Sequence, residues 1–145
     1  MNKVFKVGLI GCGHISETYF RGHDYFNNFK IVKCADINEE NAQKCSETYG
    51  IIACSVEDLL NDSEIEIILN LTIPRAHFEV AKQSLEKGKH VYSEKPMAVN
   101  FSEGQELLEL SKSKGLYIGN APDTFLGGGI QKSIELINKG KIGNV

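Results

Sequence analysis

The sequence predicts a doubly wound α/β domain: a parallel sheet with helices on both faces. Three observations predict it. Strand-length apolar runs alternate with helix-length segments along the whole chain, as β-α-β-α-β-α-β-α-β-α-β. Runs such as 4–10, 29–36 and 65–71 are nearly continuous in apolar residues, as strands buried on both faces are. The first run passes directly into Gly11-Cys12-Gly13-His14-Ile15-Ser16 and then into a helical pattern. Strand, glycine turn and helix in that order form a cradle for a dinucleotide pyrophosphate.

The elements follow in sequence. Residues 16–27 read as a helix, with Ile15, Tyr19 and Phe26 on its inner face. Residues 29–36 form the second strand and end in Asp36. Residues 39–49 form a helix with Ala42, Cys45 and Tyr49 at helical spacing, closed by Gly50. Residues 51–53 are a short strand, and Ser55 to Asp58 resembles a capping box before a brief helix. Residues 65–71 form an apolar strand, after which Pro74 imposes extended backbone on the residue before it. Residues 76–87 read as a helix with Phe78, Ala81 and Leu85 recurring at i, i+3 and i+7. Residues 90–93 are a strand. A capping box at Ser102 to Gln105 opens a leucine-rich helix to Lys114, and residues 116–119 are the last strand. Ile130, Ile134 and Ile137 place a further helix up to Asn138.

Within the turn, Gly11 permits a tight bend, and the missing Cβ of Gly13 lets backbone approach phosphates closely. Gly11, Gly13, His14 and Ile15 are the turn residues expected to hold a pyrophosphate, on the unpaired N–H groups of a helix start. Ser16 stands where the fingerprint normally has Gly or Ala, and its small side chain still allows close helix–strand packing. Asp36 follows Gly11 by 25 positions, where an acid at the tip of the second strand accepts hydrogen bonds from ribose hydroxyls. The other role open to Asp36 is capping the next helix, which Asn38 fills equally well. A carboxylate there repels a 2′-phosphate, and residues 37–40 (Ile, Asn, Glu, Glu) hold no cation to attract one. NAD is therefore expected over NADP.

Composition narrows the classes. The chain has 145 residues, the size of one ordinary domain, with 41% hydrophobic and 24% charged residues. Sixteen Lys and Arg against 19 Asp and Glu give a net charge of −3, with no basic block, which argues against nucleic-acid binding. Trp is absent, and no run approaches the ~20 apolar residues of a membrane span. The N-terminus lacks the features of a signal peptide. Cys12, Cys34, Cys45 and Cys54 show no metal-ligand spacing, so no metal is expected, and the cysteines read as small core residues of a reduced, cytoplasmic protein. Cys12 stands apart because it lies inside the glycine turn.

In a doubly wound sheet, ligands bind at the carboxyl ends of the strands near the switch in strand order. The segments 11–16, 36, 72–77, 93–96 and 120–123 all fall on that edge. Among them Glu94-Lys95-Pro96 carries the chemistry. Lys95 just past a strand end projects toward a nicotinamide, where an ammonium holds a substrate hydroxyl, stabilises negative charge or passes a proton. An arbitrary lysine in a loop is merely solvated.

These motifs together resemble the glucose–fructose oxidoreductase / inositol dehydrogenase (Gfo/Idh/MocA) family. The resemblance rests on residues 7–16, VGLIGCGHIS; on Thr72-Ile73-Pro74 followed by His77; on Lys87-Gly-Lys-His-Val; and on Glu94-Lys95-Pro96-Met97-Ala98. It covers nearly the whole chain. It implies an NAD(P)-dependent oxidoreductase acting on a sugar, polyol or related hydroxy compound. It also implies that Lys95 is the lysine used near substrate and nicotinamide, with Glu94 and Pro96 beside the cofactor. Thr72, Pro74 and His77 are likewise implied to line the cofactor site.

There are departures. Ser16 replaces the usual third small residue, and the segment 120–129, NAPDTFLGGG, lacks the family's frequent Arg or Tyr, so no substrate class carries over. Pro122, Asp123 and Thr124 are open between substrate contact and linker, and the three glycines before Ile130 are expected to start a helix near the cofactor. The resemblance implies residues 1–122 as the dinucleotide-binding domain and 123–145 as linker and first helix of a further substrate domain. That domain would supply an acid/base pair and, commonly, an oligomer interface, so the fragment alone is expected to be inactive. A non-catalytic dinucleotide-binding sensor or interaction module is the competing reading. A methyltransferase, which also uses a glycine turn and an acid, has no use for Glu94-Lys95-Pro96.

Overall fold

In the computed structural model, residues 3–23, 25–122 and 124–143 are described, His23 by its backbone alone. Six strands form one parallel sheet: β1 (Phe5–Ile10), β2 (Phe29–Ala35), β3 (Ile52–Ala53), β4 (Ile67–Asn70), β5 (His90–Ser93) and β6 (Ile118–Asn120). Their spatial order is β3-β2-β1-β4-β5-β6. The chain therefore moves outward one way from β1, then crosses back to β4 and outward the other way. The crevice at the carboxyl ends of β1 and β4 is the switch point of a Rossmann fold.

Six helices make the crossovers and the tail: α1 (Ser16–His23), α2 (Glu39–Tyr49), α3 (Val56–Asn61), α4 (Pro74–Glu86), α5 (Phe101–Lys114) and α6 (Gly128–Asn138). Local chemistry sets their ends. Asn38 Oδ1 accepts from Glu40 N (3.1 Å) at the start of α2, and Gly50 closes it in the left-handed region. Ser55 Oγ accepts from Asp58 N (3.0 Å) to open α3. Pro74 is the first residue of α4, where its missing N–H costs nothing.

Two layers of core flank the sheet. Val7, Leu9, Ile31 and Cys34 pack against Phe20, Ala42 and Cys45 of α1 and α2. On the opposite face Ile10, Ala35 and Ile68 meet Leu59 and Leu60 of α3, and Val91 meets Ala81, Leu85 and Leu107 of α4 and α5. Each fully buried leucine contributes about 1.5–3 kcal/mol.

Five expectations are corrected. Helix α1 ends at His23 rather than 27, and its inner aromatic is Phe20, while Phe26 is exposed and stacks on Phe29 at the start of β2 (5.6 Å between rings). Strand β4 begins at Ile67; Ile65 is buried, but ahead of the strand against α3. Helix α5 is capped at Asn100 rather than at Ser102, because Asn100 is extended and its N–H reaches Glu103 Oε2 (3.2 Å). Leu116 stays out of β6 because its N–H bonds back to Ser111 O (2.9 Å), completing the closure of α5 around Gly115. Helix α4 begins at Pro74 rather than 76. Gly127 caps α6, whose Ile130, Ile134 and Ile137 are all exposed. Asp123 lies outside the described residues. Among the described residues no helix is long and apolar enough to cross a membrane.

Candidate functional site

Strand register assembles the site. Ala35, Ile10, Asn70, Ser93 and Asn120 pair in one row across β2, β1, β4, β5 and β6. The residues one step beyond that row are Asp36, Gly11, Leu71, Glu94 and Ala121. The glycine turn, the acid, the Thr72 segment and the Glu94-Lys95-Pro96 segment therefore leave the sheet on the same edge.

Gly11 has φ +102, and a Cβ there would sit 2.6 Å from the Leu71 carbonyl carbon and oxygen. The backbone turns this tightly because Gly11 N bonds to Ala35 O (2.9 Å) while Leu71 N bonds to Ile10 O (2.8 Å). Gly13 differs: a Cβ there would meet nothing within 4 Å, so its missing side chain leaves open space above the backbone. Ser16 is buried, and its Oγ donates to Gly13 O (2.7 Å), which fastens the turn to the first turn of α1. His14 and Ile15 lie exposed on the rim of the turn.

Asp36 is half-buried. Its Oδ2 accepts from Cys12 N (2.7 Å) and its Oδ1 from Asn38 N (2.8 Å), so the carboxylate is held by the glycine turn on one side and by the α2 cap on the other. Asn38, not Asp36, caps α2.

Across the switch, His77 is fully buried at the start of α4. Its Nδ1 lies 2.5 Å from Pro96 O and its Nε2 2.8 Å from Thr72 O. Both ring nitrogens are thus engaged by main-chain oxygens. His77 ties the loop after β4 to the loop after β5. Asn70 completes the tie: its Nδ2 donates to His77 O (2.9 Å) and its Oδ1 accepts from Thr72 Oγ1 (2.7 Å). Pro74 is exposed at the helix start, and Thr72 is half-buried.

Beyond β5, Glu94 Oε1 accepts from the Tyr19 hydroxyl (2.8 Å), linking this loop to α1. Asn120 Nδ2 donates to Ser93 O (3.0 Å) and Glu94 O (2.9 Å), which fixes the base of the same loop. Lys95 and Pro96 are exposed, the bond between them is cis, and among the described residues no carboxylate pairs with the Lys95 ammonium. Ser93 Oγ is buried with no hydrogen-bond partner among the described residues.

Sequence reasoning missed three supports. Asn70 and Asn120, polar residues closing otherwise apolar strands, were visible in the sequence, but the loops they hold were not. The third is a group of thiols. Cys12 in the turn, Cys34 in β2 and Cys45 in α2 bring their sulfurs within 4.8 Å of one another. A hydrogen bond with Cys34, followed by burial, pushes the Cys12 thiol well above its usual range, and burial raises Cys45 to about 11. Nothing in a spacing of 22 and 11 residues signals that cluster.

Two hollows adjoin the edge. An open cleft of ≈330 Å³ lies over Cys12, Gly13, His14, Asn41 and Cys45. An apolar groove of ≈610 Å³ runs along the α1 face past Ile15, Tyr19, Ile67, Leu69, Tyr92 and Glu94.

The chain is similar to known proteins over the same segment. Residues 5–121 match the family model described as an oxidoreductase family with an NAD-binding Rossmann fold. An inositol 2-dehydrogenase/D-chiro-inositol 3-dehydrogenase from Lactiplantibacillus plantarum is 30% identical over 116 residues, covering 77% of this chain and 33% of that protein. A biliverdin reductase structure from Synechocystis, in complex with biliverdin and NADP+, superposes with a TM-score of 0.85 at 31% identity, covering 97% of this chain and 44% of that one. The WlbA dehydrogenase from Bordetella pertussis, in complex with NADH and UDP-GlcNAcA, shares the fold with a TM-score of 0.92 at 23% identity over 99% of this chain and 42% of that one. The chain spans about a third of the length of such curated relatives.

Proposed function

The chain belongs to the Gfo/Idh/MocA oxidoreductase family as its NAD(P)-binding Rossmann domain, and from that premise we propose that it serves a dehydrogenase that uses NAD in preference to NADP and acts on a hydroxyl carbon of a sugar, polyol or related compound. One observation carries the reading: the in-register row that puts the glycine turn, Asp36, the 72–77 loop and Lys95 on one sheet edge. The donor set fits a dinucleotide. Gly13 leaves space that a Cβ would occupy, and Asp36 presents a carboxylate beside the turn.

Residues 11–15 would hold the pyrophosphate, Asp36 the adenosine ribose, and residues 72–74 and 94–96 the nicotinamide half. The bound cofactor supplies hydride acceptance and return at its nicotinamide ring. The chain's own residues do the rest. His77 and Asn70 set the spacing of the two loops. The Lys95 ammonium donates to the substrate oxygen at the reacting carbon and stabilises negative charge developing there. Glu94, held by Tyr19, orients the backbone that carries Lys95. The residues that bind the rest of the substrate, and the proton acceptor, are assigned to the further domain implied by the relatives' greater length. Residues 1–122 are the cofactor unit in this reading, and 123–145 lead onward.

Titration with NADH and NADPH tests it. NADH is expected to bind the wild type more tightly, and Asp36→Asn, which keeps an acceptor for Cys12 N but removes the charge, is expected to narrow the difference. NADPH binding tenfold more tightly to the wild type would overturn the ribose assignment. In the full-length protein, Lys95→Ala is expected to abolish polyol turnover while NADH binding persists. Dinucleotide binding with no turnover of any sugar or polyol would favour the non-catalytic module.

A further inference from the structure

Three thiols converge under the glycine turn from separate parts of the chain: a loop, a strand and a helix. We propose that Cys12, Cys34 and Cys45 form a site for one thiophilic cation of the zinc, cadmium or copper(I) class. All three sulfurs lie within 4.8 Å of one another. At a metal–sulfur bond of about 2.3 Å, tetrahedral or trigonal ligation needs sulfurs about 3.8–4.0 Å apart, so side-chain adjustment of under about 1 Å closes the set.

The surroundings select the kind of ion. The set is made of three sulfurs, the donors that soft ions prefer, whereas Mg2+ and Ca2+ are held by several oxygen ligands. As thiols, the sulfurs make weak bonds, among them Cys12 Sγ to Ala35 O (3.6 Å) and Cys34 Sγ to Ala42 O (3.5 Å). Those bonds are easily exchanged for metal–sulfur bonds.

An entry path exists. Cys34 and Cys45 are buried, but Cys12 and Cys45 both line the ≈330 Å³ cleft, together with Asn41, Lys44 and Thr48. A fourth ligand, water, fits from that side. Each thiol gives its proton to solvent as its sulfur–metal bond forms, so a divalent ion releases three protons and leaves the site with a net charge of −1. Lys44 on the cleft wall offsets that charge. A loaded site pins the glycine turn to β2 and α2.

The test uses Cd2+ with the protein kept reduced by a phosphine and no nucleotide present, so the outcome is independent of the dinucleotide reading. The expected result is one Cd2+ per chain, a sulfur-to-cadmium charge-transfer band in the ultraviolet, release of about three protons, and a higher melting temperature. Cys12→Ser and Cys45→Ser, each shown folded by circular dichroism, are expected to weaken binding at least about 100-fold, since loss of second-shell partners alone costs 10–100-fold. Cys54→Ser removes the cysteine outside the cluster and is expected to leave binding unchanged. Absence of the charge-transfer band, a band that survives Cys12→Ser, or one abolished by Cys54→Ser would overturn the proposal.

Discussion

Replacing Gly11 with alanine tests how the turn is built. Two separate penalties arise there. At φ +102 an L-residue is strained by about 1–3 kcal/mol. The new Cβ also sits 2.6 Å from Leu71 C and O and 2.8 Å from Thr72 N, all backbone atoms. Ordinary contact needs about 3.4 Å or more, so the end of β4 must shift by nearly 1 Å. Leu71 N is bonded to Ile10 O and Gly11 N to Ala35 O, so a shift strains the ladder on both sides of β1. Overpacking of this kind costs about 1–3 kcal/mol. The expected loss is about 3–5 kcal/mol, a large part of a typical 5–15 kcal/mol domain stability. Urea denaturation followed by circular dichroism measures it. Gly13→Ala is the matched control, because its Cβ meets nothing within 4 Å. Its stability is expected to stay within about 1 kcal/mol of the wild type, while NADH affinity falls at least about tenfold as the methyl occupies the phosphate's approach. A loss under about 1 kcal/mol for Gly11→Ala, or equal losses for both variants, would refute this account of the turn.

Other predictions rest on single contacts. His77→Ala leaves Thr72 O and Pro96 O without their ring partner and opens a cavity, so it is expected to cost about 2–4 kcal/mol in denaturant unfolding; under 1 kcal/mol would show that the loops do not depend on the ring. Ser93→Ala removes a buried hydroxyl that has no partner among the described residues, so stability is expected to hold or rise by up to about 1 kcal/mol, and a marked loss would reveal a hidden bond. Acid stability has a defined sign. Asp62, bonded by Lys33, and Glu66, bonded by Lys3, titrate below their ordinary values of 3.8 and 4.5 in the fold. Their contribution is present above those values and is lost as pH falls through the lowered ones. Urea midpoints are expected to drop as the pH falls below about 4.5, less steeply in Asp62→Asn; an unchanged slope would deny the Lys33–Asp62 pair (2.6 Å) a role.

The relation between sequence and site differs from residue to residue. The glycine turn was legible because a positive φ and a strand–turn–helix order are local demands written in adjacent residues. Asp36 was legible because a strand of known length sets its distance from the turn. For His77 the sequence showed its place in the loop after β4, but not its two carbonyl partners, one of them 19 residues away, through which it braces two loops. Phe26 was expected on the inner face of α1 and lies exposed, while Phe20 is buried there, because the end of α1 is decided by packing rather than by periodicity.

What the sequence by itself determined is the alternation of elements, the parallel sheet, the glycine turn, the acid after β2 and the Glu94-Lys95-Pro96 loop. Each depends on interactions within a few residues or on the repeat of a buried strand. What only the tertiary structure decided is which distant groups meet. The row from Ala35 to Asn120, the Asn70–His77–Pro96 brace and the Cys12–Cys34–Cys45 cluster arise from strand order and register. Register is set by burying both faces of the whole sheet at once, and no local stretch of chain contains that information.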